Sequence, residues 1–260
     1  MVIFRPGDSY LILFSQVSAI TINQQAPLHQ EAQHDSFELV AIQAVIELLE
    51  QEYGPRNWQP DRDPIDVLIE TILSQNTSDA NSGRAFASLK ASFDSWEAIA
   101  IAPAEHIAEA IKSGGLSQIK AVRIKQVLEQ IEKEQGRISL VALKSMNMAE
   151  VEDYLMRLPG VGHKTARCVL LFSLGKPSLP VDTHVFRVAK RLGLIDSKTS
   201  VEKAHSLLQK HVPPPKVYQF HVHMIEHGRR ICHARWPRCS RCIFRGTCPS
   251  SLCQSTPASK

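Results

Sequence analysis

Apolar side chains recur at spacings of three and four through most of the chain after residue 36, and almost no stretch alternates apolar and polar residues. The spacing matches the 3.6-residue period of an α-helix, and the lack of alternation argues against half-buried β-strands. We therefore predict an all-α fold. The predicted helices, separated by Pro, Gly and Ser, are 36–53, 64–74, 79–93, 104–112, 119–134, 149–157, 164–174, 183–192, 200–211 and 217–231.

The composition is that of an ordinary globular protein. The 260 residues are 43% apolar and 22% charged, which suffices for one large or two small cores. The apolar run at residues 10–14 is much shorter than the roughly 20 residues that a membrane span requires. Before Arg56 the only basic residue is Arg5, so the basic region of a secretory signal is missing. We therefore expect a soluble, cytoplasmic protein.

Charge is unevenly distributed along the chain. Residues 1–60 hold two basic and seven acidic residues, whereas residues 227–260 hold seven basic residues and no acidic one. Because phosphate contacts raise affinity by releasing counterions, a local basic face suffices for nucleic-acid binding even at a net charge of only +4. A solvated basic tail explains the charge equally well, so charge alone leaves both interpretations open.

Four of the six cysteines lie close together near the C-terminus, with six, two and five residues between them. Closely spaced thiolates indicate a metal site in a reducing compartment. Structural zinc favours two close pairs separated by a longer stretch, while three unequal gaps suit the compact cube of a [4Fe-4S] cluster. The spacing therefore favours iron-sulfur over zinc. The predicted ligands are Cys232, Cys239, Cys242 and Cys248, while Cys168 and Cys253 are interpreted as a packed core thiol and a tail thiol.

The segment Leu158-Pro-Gly-Val-Gly-His-Lys-Thr-Ala166 lies between two predicted helices. Its glycines, Gly160 and Gly162, flank Val161 and allow a tight turn whose bare backbone can approach another backbone closely. The free amides at the start of the following helix form an anion site at this turn. The pattern matches a helix-hairpin-helix, which holds a DNA phosphate without reading sequence.

Lys164 lies in the first turn of the helix that follows this hairpin. The helix dipole and partial burial both favour its neutral amine, which is a nucleophile, and we predict that it forms a Schiff base with a sugar. Asp182, eighteen residues later, precedes another predicted helix, where an Asp is commonly the N-cap. The same carboxylate could face Lys164 and stabilise the cationic sugar that forms as a glycosidic bond breaks.

In this order, the hairpin segment, Val181-Asp-Thr-His184 and the cysteine spacing resemble the endonuclease III family, the helix-hairpin-helix DNA glycosylases that carry a [4Fe-4S] cluster. The resemblance covers residues 36–250, and we expect a monomer that is nucleoid-associated if bacterial. It implies excision of oxidised pyrimidines from duplex DNA in base excision repair, followed by β-elimination at the abasic site. It also implies two domains with DNA in the cleft between them: a six-helix domain at 61–173 and an iron-sulfur cluster domain at 36–60 with 174–250, flanked by an N-terminal extension at 1–35 and a tail at 251–260.

The resemblance implies further DNA contacts. Residues 73–79 resemble the loop whose amide side chain fills the gap left by a flipped base, and both Gln75 and Asn76 could supply that amide. Leu116 matches the leucine that wedges the opposite strand, although Ser117 replaces the tyrosine of the family. The other predicted DNA contacts are Gly160, Val161, Gly162, His184, Arg235 and Arg238. We expect solvated side chains at Lys90, Lys112, Lys120, Arg123 and Lys125.

Two other functions are open at this stage. An alkylpurine glycosylase of the 3-methyladenine type belongs to the same superfamily and can keep the lysine. A non-catalytic iron-sulfur protein that senses DNA lesions or redox state would have the same cluster and hairpin. Such a sensor would not need both Lys164 and Asp182, so their presence favours an enzyme.

Overall fold

The computed structural model describes residues 30–252, and over this range the chain contains α-helices and short 3₁₀-helices but no β-strand. The all-α prediction is confirmed. No helix in the described range is both long and apolar enough to cross a bilayer. The helices are α1 Gln30–Tyr53, α2 Pro64–Ser74, α3 Asp79–Ser92, α4 Trp96–Ile101, α5 Ala104–Ala110, α6 Ser117–Gln135, α7 Met148–Met156, α8 His163–Phe172, α9 Thr183–Leu192, α10 Val201–His211, α11 Val217–Arg230 and α12 Pro249–Leu252.

One helix begins more than two residues away from its predicted start, and two helices were not predicted. Helix α1 begins at Gln30, six residues earlier than predicted, because residues 30–33 favour a helix by propensity but show no apolar period. Helices α4 and α12 have six and four residues, which is too short for a period to appear. Most of the predicted extension 1–35 and of the tail 251–260, together with Cys253, lies outside the described residues.

The buried apolar side chains form two clusters. The first core contains residues of α2 to α8, between Ile65 and Leu174. The second core combines α1 with residues 171–248. These two clusters favour the predicted division into two domains, whose boundaries stay a prediction.

A buried charged side chain connects α7, α8 and α10. Arg167 is 9% exposed, and its guanidinium donates to a carboxylate oxygen of Glu152 at 2.8 Å and to the carbonyl oxygen of His205 at 3.0 Å. Burial alone would raise the pKa of Glu152, but hydrogen bonds from Arg167 and His163 lower it below its ordinary value. A buried guanidinium needs such partners, so this network fixes the position of α8.

We predict that the protein loses stability as the pH falls from about 6.5 to about 4. Burial lowers the pKa of His205 to about 4, so the folded state keeps this ring neutral while the unfolded chain, with a pKa near 6.5, binds a proton. Stability from His205 is therefore complete above pH 6.5 and falls below it, by up to ~1.4 kcal/mol per pH unit. Urea unfolding at about pH 7, 6 and 5 measures this slope.

The matched variant is His205→Asn. Its amide can still donate to the Leu179 carbonyl oxygen, which lies 3.4 Å from Nδ1 of His205. This variant should show a smaller pH slope than the wild type. The slope of this variant will retain a contribution from His221, whose pKa burial also lowers to about 4. An unchanged slope in His205→Asn would contradict the assignment.

Candidate active site

Lys164 is the second residue of α8, directly after the hairpin. Its half-buried side chain lines a cavity of about 230 Å³, together with Asp182, Cys168 and His221. Cys168 packs in the first core, whereas Asp182 and His221 belong to elements of the second core. The two residues predicted to be catalytic therefore line one cavity between the two cores.

Asp182 is the N-cap of α9, as predicted. One of its carboxylate oxygens accepts a hydrogen bond from the amide of Val185 at 2.7 Å. The side chain is half-buried and also lines the cavity that contains Lys164. The same carboxylate thus caps a helix and faces the cavity, so the two interpretations of Asp182 are compatible.

Two further side chains of this cavity have shifted pKa values. Cys168 packs in the first core as predicted, and burial raises the pKa of its thiol. Nδ1 of His221 donates to the carbonyl oxygen of Pro180 at 2.9 Å, and burial lowers the pKa of this ring to about 4. His221 is therefore neutral near pH 7, with Nε2 as an acceptor.

An ion pair between Arg229 of α11 and Asp79 of α3 lines the same cavity. It connects a helix of the second core to a helix of the first. The sequence analysis missed both residues as well as His221. The sequence of α11 could have indicated that two of them lie together. His221, Ile225 and Arg229 follow one another at a spacing of four residues, which places them on one face of the helix.

The hairpin turn has the backbone conformation that its two glycines predict. Gly160 has a φ of +71°, a conformation that glycine adopts without strain, and Val161 is 7% exposed. Gly162 is the N-cap of α8, and no side chain caps this helix. The amides of its first turn are therefore available to an anion.

The two candidate gap-filling amides have different surroundings. The side-chain nitrogen of Gln75 donates to the carbonyl oxygen of Gly160 at 3.1 Å, and its oxygen accepts from Arg123 at 2.8 Å. Asn76 is exposed with a φ of +54°, and both Gln75 and Asn76 line a larger cavity of about 720 Å³ that also reaches Lys164. Gln75 thus ties the loop to the hairpin, while Asn76 lies at the open side of the loop.

The expectation of solvated side chains is wrong for part of α6. Lys120 is 2% exposed and donates to the carbonyl oxygens of Leu73 at 2.7 Å and Gly114 at 2.8 Å, and burial lowers its pKa. These bonds connect the end of α2 to the turn that presents Leu116, which is 54% exposed. The α6 residues that donate hydrogen bonds to other elements are Lys120, Arg123 and Lys125.

His184 lies in the first turn of α9 and lines the larger cavity beside Lys164. Arg187 donates to Nδ1 of His184 at 3.1 Å, so the proton of the neutral ring is on Nε2. Burial lowers the pKa of His184, which favours this neutral form. The ring can therefore donate one hydrogen bond to an oxygen in the cavity.

The four predicted cysteine ligands line one small cavity of about 30 Å³. Burial raises the pKa of Cys242 to about 11, and the negative charges of the neighbouring cysteines act in the same direction. Arg191 donates to the sulfur of Cys232 at 3.3 Å. Among the described residues, no three His, Cys, Asp or Glu side chains are gathered closely enough to hold a metal ion.

The loop between the first two of these cysteines faces solvent. Arg235 and Arg238 are exposed, and Trp236 is 90% exposed with a φ of +55°, so the indole does not pack in the protein. Arg191 holds the start of the loop by donating to the carbonyl oxygens of residues 233–234 at 2.6 and 3.0 Å.

The sequence pattern of the HhH-GPD superfamily of base excision DNA repair proteins matches residues 69–214. The chain belongs to this superfamily. A candidate DNA glycosylase of Arabidopsis thaliana is 40% identical over 168 residues, or 65% of this chain and 57% of that protein. Endonuclease III of Thermotoga maritima is 36% identical over 195 residues, or 75% of this chain and 86% of that protein.

Among solved structures, this HhH-GPD protein is similar to a trapped endonuclease III–DNA covalent intermediate. The TM-score is 0.74 at 28% sequence identity, over 84% of this chain and 99% of the other. The resemblance to endonuclease III that the three motifs indicated is therefore confirmed.

We predict that Gly160→Ala destabilises the protein by at least ~1 kcal/mol, because an alanine at this positive φ is strained. The added Cβ would also collide with Nε of Arg123, and moving Arg123 would break its bond to Gln75. Urea unfolding and a DNA-binding titration measure both effects.

The control is Gly83→Ala in α3. A Cβ at Gly83 meets no atom within 4 Å, so this variant should be as stable as the wild type or more stable. Equal stability and equal DNA binding in Gly160→Ala would show that the turn does not require glycine.

Proposed function

We propose that this protein is a bifunctional DNA glycosylase and abasic-site lyase that excises oxidised pyrimidines from duplex DNA in base excision repair. The observation that carries this proposal is that Lys164 and Asp182 line one cavity directly behind the uncapped N-terminus of α8. The similarity to endonuclease III, one form of which is trapped covalently on DNA, supports the same reaction.

Lys164 is the nucleophile of the proposed mechanism. Its amine attacks C1′ of the nucleotide in the cavity, and the bond from C1′ to the base breaks with its electron pair moving to the base. Asp182 stabilises the positive charge on the sugar and accepts the proton that the attacking amine releases. The amine nitrogen then expels O4′ from C1′, and O4′ takes up a proton as the sugar ring opens, which gives a Schiff base between Lys164 and C1′. The Schiff base makes the C2′ hydrogen acidic, and loss of that proton to a base expels the 3′ phosphate by β-elimination.

The DNA strand is held by groups around this cavity. Amides of the Gly160–Gly162 turn bind a phosphate, and Nε2 of His184 donates to another. Asn76 fills the gap left by the flipped nucleotide, because the amide of Gln75 is already bound to Gly160 and Arg123. Exposed Leu116 wedges the opposite strand, and the exposed Arg235 and Arg238 contact the backbone.

We also propose a [4Fe-4S] cluster held by Cys232, Cys239, Cys242 and Cys248. Its support is that the four thiols line one small cavity with the apolar side chains of Val188, Leu192 and Ile231, and that Arg191 lies against Cys232. When bound, the cluster would organise the loop that carries Arg235 and Arg238. The cavity lined by the four cysteines shares no lining residue with the cavity of Lys164, so a cluster bound there would take no part in a step of base excision.

We predict that borohydride traps the wild-type protein on duplex DNA that contains thymine glycol or an abasic site. Lys164→Ala should form no adduct on either DNA, because the Schiff base requires its amine. Asp182→Asn keeps an N-cap oxygen, so its stability should stay within about 0.5 kcal/mol of wild type while excision falls about a hundredfold or more. Trapping, excision kinetics and urea unfolding measure these effects.

Other outcomes identify the alternatives. Intact DNA binding without an adduct on either DNA would eliminate the lyase mechanism. Excision of 3-methyladenine but not thymine glycol would then indicate an alkylpurine glycosylase. DNA binding without excision of any lesion, unaffected by Lys164→Ala, would indicate a non-catalytic iron-sulfur sensor.

We predict that Cys242→Ser loses the cluster and weakens both thermal stability and DNA binding, because a metal group that binds only the folded state stabilises it. Iron and sulfide analysis, thermal unfolding and DNA titration measure the effects. The control is Cys253→Ser, which should keep iron, stability and binding. Zinc in place of iron, or unchanged DNA binding in cluster-free protein, would contradict the proposal.

A further inference from the structure

Arg123 of α6 contacts two turns that the proposed function places on DNA. Its guanidinium donates to the side-chain oxygen of Gln75 at 2.8 Å, and the side-chain nitrogen of Gln75 donates to the carbonyl oxygen of Gly160 at 3.1 Å. The Arg123 side chain also packs directly against Gly160, where it fills the space that a Cβ would need. Arg123 therefore joins the loop that carries Asn76 to the hairpin turn that is proposed to bind a phosphate.

The loop is held on both sides of Asn76. Gln75, directly before it, has its amide oxygen bound to α6 and its amide nitrogen bound to the hairpin. The hydroxyl of Thr77, directly after it, donates to the carbonyl oxygen of Gly114, in the turn that presents Leu116. Asn76 itself has a φ of +54°, which a residue other than glycine keeps where its surroundings fix the backbone. The protein therefore holds the backbone of Asn76 in place before DNA binds.

The position of α2 does not account for the bond from Arg123 to Gln75. Buried Lys120 already fixes the end of α2 by donating to the carbonyl oxygen of Leu73. The Arg123 bond is only partly buried and reaches a side chain beyond the end of that helix. What this bond adds is a fixed orientation of the loop relative to the hairpin.

We infer that Arg123 is a positioning residue for gap filling, because it fixes the loop of Asn76 relative to the hairpin. The phosphate at the Gly160–Gly162 turn and the gap at Asn76 belong to one duplex, so both contacts form only if the two turns keep one separation. A loop that is fixed beforehand has less conformational freedom to lose when it fills the gap. Arg123 therefore increases the preference for DNA with a vacated base position over intact DNA. This role rests on the proposed gap-filling function of Asn76 but not on the chemistry of Lys164.

The test measures binding to two duplexes of one sequence, of which one is intact and the other carries a tetrahydrofuran abasic analogue. The analogue leaves a gap in the base stack and cannot form a Schiff base, so no reaction follows binding. Arg123→Ala should lower the preference for the analogue duplex, measured as the ratio of the two Kd values, by about threefold to tenfold. Its Kd for the intact duplex should stay within about twofold of wild type, because the variant keeps the phosphate contacts that dominate non-specific binding.

Two further variants test whether Arg123 acts through the loop, and urea unfolding confirms that each variant is folded. Gln75→Ala removes the other half of the bond and should lower the ratio by the same factor. In protein that already carries Asn76→Ala, Arg123→Ala should lower the ratio by no more than about 1.5-fold, because residues that act through one contact are not additive. The control is Lys125→Ala on the same helix, whose amine donates to carbonyl oxygens at the end of α4 and which should keep the wild-type ratio.

Each contrary result overturns this role. An equal loss of affinity on both duplexes, with a salt-dependence slope smaller by about one, would show that Arg123 contacts a phosphate itself. An unchanged ratio, or fully additive losses in the Arg123→Ala and Asn76→Ala double variant, would show that Arg123 does not act through the loop. Wild-type protein that binds both duplexes equally would remove the gap-filling function. Failure of the lyase reaction is a separate result, since a protein that prefers the analogue duplex but forms no borohydride adduct loses only the proposed chemistry.

Discussion

Helix α8 is packed on all sides, and the location of the candidate site follows from this packing. Residues 165–171 are buried, with Val169 and Leu170 in the first core and Leu171 in the second. The indole nitrogen of Trp58 donates to the carbonyl oxygen of Leu171 at 2.8 Å and fixes the end of the helix. A helix packed between two cores cannot shift without opening both, so Lys164 on its first turn is held at their junction.

Features that depend on nearby residues could be predicted from the sequence. The helix periods, the hairpin turn and the Asp182 cap all involve residues within a few positions of one another. The Arg229–Asp79 pair joins residues 150 positions apart, and nothing local in either helix marks the partner. The burial of Lys120 could have been predicted from the sequence. Lys120 lies four residues before Ile124, which places it on the apolar, buried face of α6.

Long basic side chains position the loops around the site. The last carbonyl groups of a helix have no intrahelical donor, and a cation is favourable there because of the helix dipole. Lys120 donates to the end of α2, Lys125 to the end of α4, and Arg187 to the carbonyl oxygen of Gly228 near the end of α11 at 2.9 Å. Lysine and arginine side chains at these positions therefore bind carbonyl oxygens of the protein itself. For this reason, the number of basic residues in the sequence overestimates the number that can contact a DNA phosphate.

The position of residue 182 at the start of α9 explains why a capping residue is present there, but it does not explain why that residue is Asp. Ser, Thr and Asn cap helices about as well as Asp, so the bond to the Val185 amide explains why a capping residue is present but not why it is charged. A carboxylate has two oxygens, and the cap uses one of them. The second oxygen adds negative charge at a cavity wall shared with Lys164, where it can stabilise a cationic sugar and accept a proton. The cap therefore also orients the charge, because it fixes the carboxylate before any substrate arrives.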